Sequence, residues 1–411
     1  MAFNLEYFIA KRLNSAGSGK SSPSRPIIKI AIIAIVLGMV MMLVTVASGV
    51  GLQKKIREKV SAFNGHIIIS NFDGNNSEET VNPIALDQEF YPDFDAVPEV
   101  THVQAIAAKQ GIIRTASTFE GVMVKGVGAD YNWNLIEEYL TQGRLPEYTG
   151  ALNTEILLSN YLANRLGFQL GDKLITYFVN DDGKFKAVRF DVVGIYESGF
   201  QEFDEIYLFA DIRHIQRVNR WEANEVGAFE VFISDFDELA MVGNKVYENT
   251  GSTLNSRTVT QKYYSIFEWI ALFDFNIILI IAVMILVAGI NMIVALLVLI
   301  LERTQMIGIL KALGSTNWSV RKIFLYNAVY LILTGLFWGN LIGIGILLVQ
   351  QHYGIIALNP ETYYVTQAPV DLNWGYILLL NLGTFLLCML MLLIPSYIVT
   401  RIVPVKSIRF E

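Results

Sequence analysis

Four unbroken apolar runs divide the chain, at 27–50, 277–301, 323–350 and 375–399. Each is longer than the ~20 residues a helix needs to cross a hydrocarbon core of about 30 Å. Each therefore predicts a transmembrane helix. Between the first two runs lies a polar region, 53–265, long enough for a domain with its own core. Strand-like segments recur there at 66–70, 122–127, 173–179, 189–196 and 229–234. Ser159–Leu166 reads as a helix closed by Gly167, and helices are also expected near 210–219 and 237–250. The predicted fold is an α-helical membrane protein with four transmembrane helices and an α+β extracytoplasmic domain between the first and second.

The pattern also sets boundaries. Residues 1–26 form a short interfacial helix (3–14) and a Ser/Gly/Pro-rich linker, and 27–52 is the first span. Helical spacing runs on past the span through Lys54, Lys55, Arg57 and Lys59, which predicts a stalk into the 53–265 domain. A second stalk and span fill 266–301. Helical character starting near Tyr263 and ending at Arg303 would extend about 60 Å, twice the hydrocarbon thickness. The remaining parts are 302–322, a span at 323–350, a loop at 351–374, a span at 375–399 and a tail at 400–411. Gly335, Gly339 and Gly343 recur at i+4, a face suited to close helix packing, and Asn291 is read as an interhelical hydrogen bond.

The stretch Glu302, Arg303, Met306, Ile309, Leu310, Lys311, Leu313, Gly314 lies between two spans and is too short to cross. Met306, Ile309/Leu310 and Leu313 share helical spacing, Gly314 reads as its stop, and Ser315 as the cap of the next helix. Such a helix either rests in the headgroups or docks into a cytoplasmic motor.

Charge orients the chain. The 302–322 loop carries Arg303, Lys311, Arg321 and Lys322, whereas 351–374 carries no Lys or Arg. The positive-inside rule then puts both termini and 302–322 in the cytoplasm and 53–265 outside. The first run is too long for a cleaved signal peptide and starts too late, so an anchor is expected. Among 411 residues with net charge −7, no basic nucleic-acid footprint appears. The single cysteine, Cys388, lies in the fourth run. His66, His102, His214 and His352 lack metal-ligand spacing, and no nucleophile motif is present, so neither metal nor catalytic residues are expected. Gly17–Ser21 mimics the end of a phosphate loop, but Asn14 stands where its first glycine belongs, and Pro23 and Pro26 follow. Any ATP and Mg are expected on a partner.

Glu302-Arg303-Thr304 followed by Ile307–Gly314 resembles the coupling segment of FtsX-like ABC-transporter permeases. Over nearly all its length the chain resembles the lipoprotein-releasing branch (LolC/LolE type). That likeness is carried by Gly51–Val60, Gly65–Ile69, Leu166–Lys173, Phe190–Gly199, the Phe203-Asp204 pair and Pro404–Arg409. The resemblance implies an inner-membrane permease that extracts lipoproteins and passes them to a periplasmic carrier. It also implies a cytoplasmic ATPase dimer beneath and a second permease subunit, a copy or a paralogue. A MacB- or FtsX-like permease that moves another cargo or activates a periplasmic partner is the alternative. On the lipoprotein reading, acyl chains enter between the first two spans. Met39, Met42 and Val46 on one face, Met41 beside it, and Phe267, Ile270, Phe273 and Ile277 are candidate contacts. The other reading of these is plain contact with membrane lipid or packing. Asn180, Asp181, Asp182, Gly183 and Lys184 form a hairpin turn where the carrier-recruiting relative has a longer hook. They are either the carrier contact or a structural connection.

Overall fold

The computed structural model describes residues 5–15, 24–72, 79–179 and 183–401. The phosphate-loop mimic, the 180–182 part of the hairpin turn and the Pro404–Arg409 motif lie outside them. Two compact units form. One comprises Met1–Leu52, Ile270–Ile356 and Ala368–Glu411; the other comprises Gln53–Trp269 and Ala357–Gln367.

The elements run α1 (Leu5–Ser15), α2 (Ser24–Asn64), β1 (Ile67–Asn71), β2 (Ile84–Ala85), β3 (Val100–Arg114), β4 (Phe119–Val127), α3 (Asn134–Glu137), β5 (Leu140–Gly143), β6 (Glu155–Ser159) and α4 (Asn160–Leu166). They continue with β7 (Lys173–Val179), β8 (Phe185–Tyr196), α5 (Gln201–Asp204), β9 (Tyr207–Asp211), α6 (Ile212–Asn219), β10 (Glu225–Val226), β11 (Ala228–Ile233), α7 (Leu239–Glu248), β12 (Leu254–Thr258) and α8 (Val259–Lys262). The last are α9 (Tyr264–Glu302), α10 (Thr304–Ala312), α11 (Asn317–Tyr353), α12 (Pro360–Tyr363) and α13 (Trp374–Ser396). Among the described residues four helices, beginning at Pro26, Tyr264, Asn317 and Trp374, are long and apolar enough to cross a membrane.

In the helical unit, the glycine face of α11 packs on α2. A Cβ at Gly335, Gly339 or Gly343 would lie 2.7–2.8 Å from Ile35, Met39 or Leu43. The bare backbone lets the two helices approach closely, which is how helices associate where no water drives them together. Asn291 does not bridge helices: its Nδ2 donates to Val287 O of its own helix at 2.9 Å. Asn340 and Asn381 do form an interhelical polar pair, at 2.7 and 3.0 Å, joining α11 to α13. Helix α1 lies along α11, with Tyr7 edge-on to Tyr326 at 6.0 Å and Ser319 Oγ donating to Glu6 at 3.1 Å.

The domain unit is built on a sheet ordered β12-β1-β11-β3-β4-β9-β6-β8-β5, with β7 pairing both β3 and β8. Strands β3, β4, β9, β6, β8 and β7 thereby close a circuit, and the sheet ends at β12 on one side and β5 on the other. The end of α2 plugs into this unit. The Phe63 ring sits 5.5–6.0 Å from the rings of Tyr139, Tyr196, Phe203 and Phe209. Phe63 O accepts from buried Lys125 Nζ at 2.6 Å, and Lys125 pairs with Glu230 at 2.5 Å. Gln104 supplies the second carboxylate oxygen of Glu230 with a donor at 2.8 Å. A buried ion pair holds only when its remaining polar atoms are satisfied, and here they hold a helix end. Gly65, at φ +69°, then turns the chain into β1.

Candidate coupling and cargo surfaces

The coupling segment is set by breaks on both sides. Arg303 leaves helical geometry (φ −99°, ψ 16°) and ends α9. At the other end Gly314 takes φ +92°. Its N–H bonds Lys311 O and Ser315 N–H bonds Leu310 O, both at 3.0 Å, the Schellman pattern. Ser315 therefore closes α10, and the cap of α11 is Thr316, whose side chain accepts from Ser319 N at 3.2 Å. The apolar face expected from spacing splits in two. Met306 and Leu310 lean on the helical core with buried Ile307, while Ile309 (48 % exposed) and Leu313 (78 %) face outward. Lys311 turns inward: its Nζ donates to Val399 O at 2.7 Å, and burial pushes its pKa down. Glu302 and Gly314 stay exposed at the two ends, and Arg303 is half-buried.

The candidate acyl contacts distribute differently from the expected face. Met39 and Met42 are fully buried and Val46 nearly so; Met39 faces Gly339. They are packing residues of the helical core. Met41, beside that face, is 47 % exposed and continues an outward stripe with Ile30, Ile33 and Leu37. On the second stalk and span, Phe267 stacks on Phe236 at 5.8 Å and Ile270 is buried. Ile277 fills the space opposite Gly49, and Phe273 is half-buried. Leu272, Phe275 and Ile278 are exposed instead, and the exposed apolar face runs on along the span through Leu279, Val283 and Leu286. In a helix apolar all round, spacing cannot say which face is inside. The α11 glycines marked a packing face but not its partner.

The β7–β8 hairpin forms with Val179 opposite Phe185. Its stem is embedded: Phe178 and Phe190 are fully buried, β7 pairs β3, and Lys186 Nζ donates to Arg217 O at 2.7 Å. Gly183 takes φ +73° at the turn, and the tip exposes Val179, Lys184 and Phe185. No group of three or more His, Cys, Asp or Glu side chains suited to a metal occurs among the described residues.

Residues 278–404 match the family model described as FtsX-like permease C-terminal, and 30–246 match the MacB-like periplasmic core domain. The lipoprotein-releasing system transmembrane protein LolC of Neisseria meningitidis is 24 % identical, covering 100 % of both chains. LolC of Xylella fastidiosa is 22 % identical, covering 100 % of this chain and 98 % of its own. The pyoverdine export ATP-binding/permease protein PvdT of Pseudomonas savastanoi is 25 % identical over 77 % of this chain and 49 % of its own length. Among solved structures, the periplasmic region of MacB from Actinobacillus actinomycetemcomitans matches with TM-score 0.33 and 14 % identity, over 49 % of this chain and 91 % of that one. The class is thus that of ABC-transporter permeases with an α+β domain between the first two of four spans. The chain belongs to the MacB-like periplasmic core domain family, whose model covers more than half of it, joined here to an FtsX-like permease region.

Proposed function

We propose that the chain is the permease subunit that draws lipoproteins out of the inner membrane and passes them to a periplasmic carrier. ATP hydrolysis takes place in a separate cytoplasmic subunit. The observation that carries this reading is correspondence with LolC proteins from end to end, at 22–24 % identity. The ATPase docks on the outward face of α10, through Ile309 and Leu313. Both termini are cytoplasmic and the α+β domain is periplasmic. Acyl chains meet the outward face of α2 at Leu37 and Met41, together with the exposed apolar face of α9. The carrier meets the β7–β8 tip. A second reading, export of another cargo by the same mechanics, draws support from the PvdT match.

Photo-crosslinkers placed in the assembled complex test the cargo and the contacts together. At Leu37 and Met41 they are expected to capture lipoprotein during ATP turnover, and at Lys184 the carrier. Met39 is the buried control. Capture of phospholipid alone at Leu37 and Met41 would contradict the cargo assignment.

A further inference from the structure

The connection between α11 and α13 is far longer than a turn between two spans requires. Twenty residues separate Tyr353 from Trp374, where helix–helix connections commonly take about 2–8. They fold into an antiparallel ribbon. Ala368 N bonds Ile356 O at 2.9 Å, Ala357 pairs with Gln367, and Leu358 N bonds Thr366 O at 3.0 Å.

The base of the ribbon is fastened within the helical unit. Buried Gln350 of α11 accepts from Ile356 N at 2.9 Å and donates to Ala368 O at 3.0 Å. Asp371 N bonds Ala47 O of α2 at 3.0 Å, where Gly51 leaves room for the backbone at Pro369 and Asp371.

The tip belongs to the domain unit. The Tyr364 ring stacks on Phe200 at 4.4 Å and 17°, and meets Trp269 edge-on at 5.6 Å. Tyr364 O accepts from Lys59 Nζ at 2.9 Å, and the next residue, Val365, is buried. Lys59 lies on the α2 stalk, Trp269 on the α9 stalk, and Phe200 in the turn before α5. That turn is held by Asp204, whose carboxylate accepts from Ser198 N, Ser198 Oγ and Gly199 N at 2.7–3.1 Å. The turn that carries Phe200 is thus held by hydrogen bonds of its own, made without Tyr364. Tyr364 sits at φ +59°, a conformation a bulky residue keeps only where its surroundings over-determine it.

We propose that Ile356–Ala368 is a third strut between the permease helices and the domain, in addition to the two stalks. Tyr364 is its positioning residue: seated against Phe200, Trp269 and Lys59, it makes movement of α11 and α13 reach the domain. The proposal rests on the ATP-driven permease reading above and is independent of what the cargo is.

The test uses the full chain in complex with its ATPase in nanodiscs, in a Cys388→Ser background. Spin labels at Glu248→Cys and Tyr353→Cys report the distance between domain and α11. ATP should shift that distance in the otherwise unchanged chain and in Tyr364→Phe, which keeps the ring and the carbonyl. Tyr364→Asn and Tyr364→Gly tolerate the left-handed backbone but lose the ring. They should broaden the distribution at least twofold and lose the shift while ATP hydrolysis continues. Lys59→Met should act in the same direction. A normal ATP-driven shift in Tyr364→Gly and Lys59→Met would overturn the strut and leave the permease reading standing. A distance that ATP never moves in the unchanged chain would overturn both.

Discussion

His66 serves the fold. Its Nδ1 accepts from Ile233 N at 3.1 Å, and Phe232 and Phe236 meet its ring edge-on. Burial lowers its pKa from 6.5 to about 4. The ring is thus neutral when folded but takes a proton near pH 6.5 when unfolded. Its stabilising contribution is full above pH 6.5 and is lost as pH falls towards 4. His66→Asn keeps an acceptor near that position without the titration. Thermal unfolding of both forms should show a flatter decline for the variant between pH 6.5 and 4; equal slopes would contradict the assignment. At this scale the sequence was partly legible. The helix expected over Ser159–Leu166 forms over Asn160–Leu166 with its stop at Gly167 (φ +78°), and Ser159 stands just outside it as the cap, its Oγ accepting from Leu162 N. Which methionines of α2 point inward was not legible, because every face of that helix is apolar.

At the scale of elements, the longest strand was missed for a physical reason. Strand β3 is buried on both faces through its middle, and Gln104 and Lys109 lie inside with partners. Its sequence therefore lacks the alternation that marks a half-buried strand. Strands β6 and β9 were missed likewise, since β9 is buried at every position. Helix α10 was legible because it is amphipathic and bracketed by breaks, although its faces divide more finely than spacing suggested. That division makes a prediction. Leu313→Asp should leave the permease inserted and weaken ATPase binding about tenfold or more, the scale of an interface hot spot. Leu310→Asp places a charge against the helical core and should instead lower thermal stability, by about 2 kcal/mol or more. Comparing co-purified ATPase with melting temperature separates the two; reversal of the pattern would contradict the outward assignment of Leu313.

For the whole molecule, apolar run length alone gave the spans and the place of the inserted domain. It could not give the incorporation of Ala357–Gln367 into the domain unit, because that depends on Tyr364 meeting Lys59, Phe200 and Trp269, residues far apart along the chain. The function proposed above is ATP-coupled extraction of lipid-modified proteins. The direct measurement is release from proteoliposomes holding the complex, a labelled lipoprotein and its unacylated form, with soluble carrier outside. The account predicts that ATP moves the acylated protein into the carrier fraction, that a non-hydrolysable analogue does not, and that the unacylated form gains nothing from ATP. ATP-independent release, or equal handling of both forms by a complex that hydrolyses ATP normally, would contradict it.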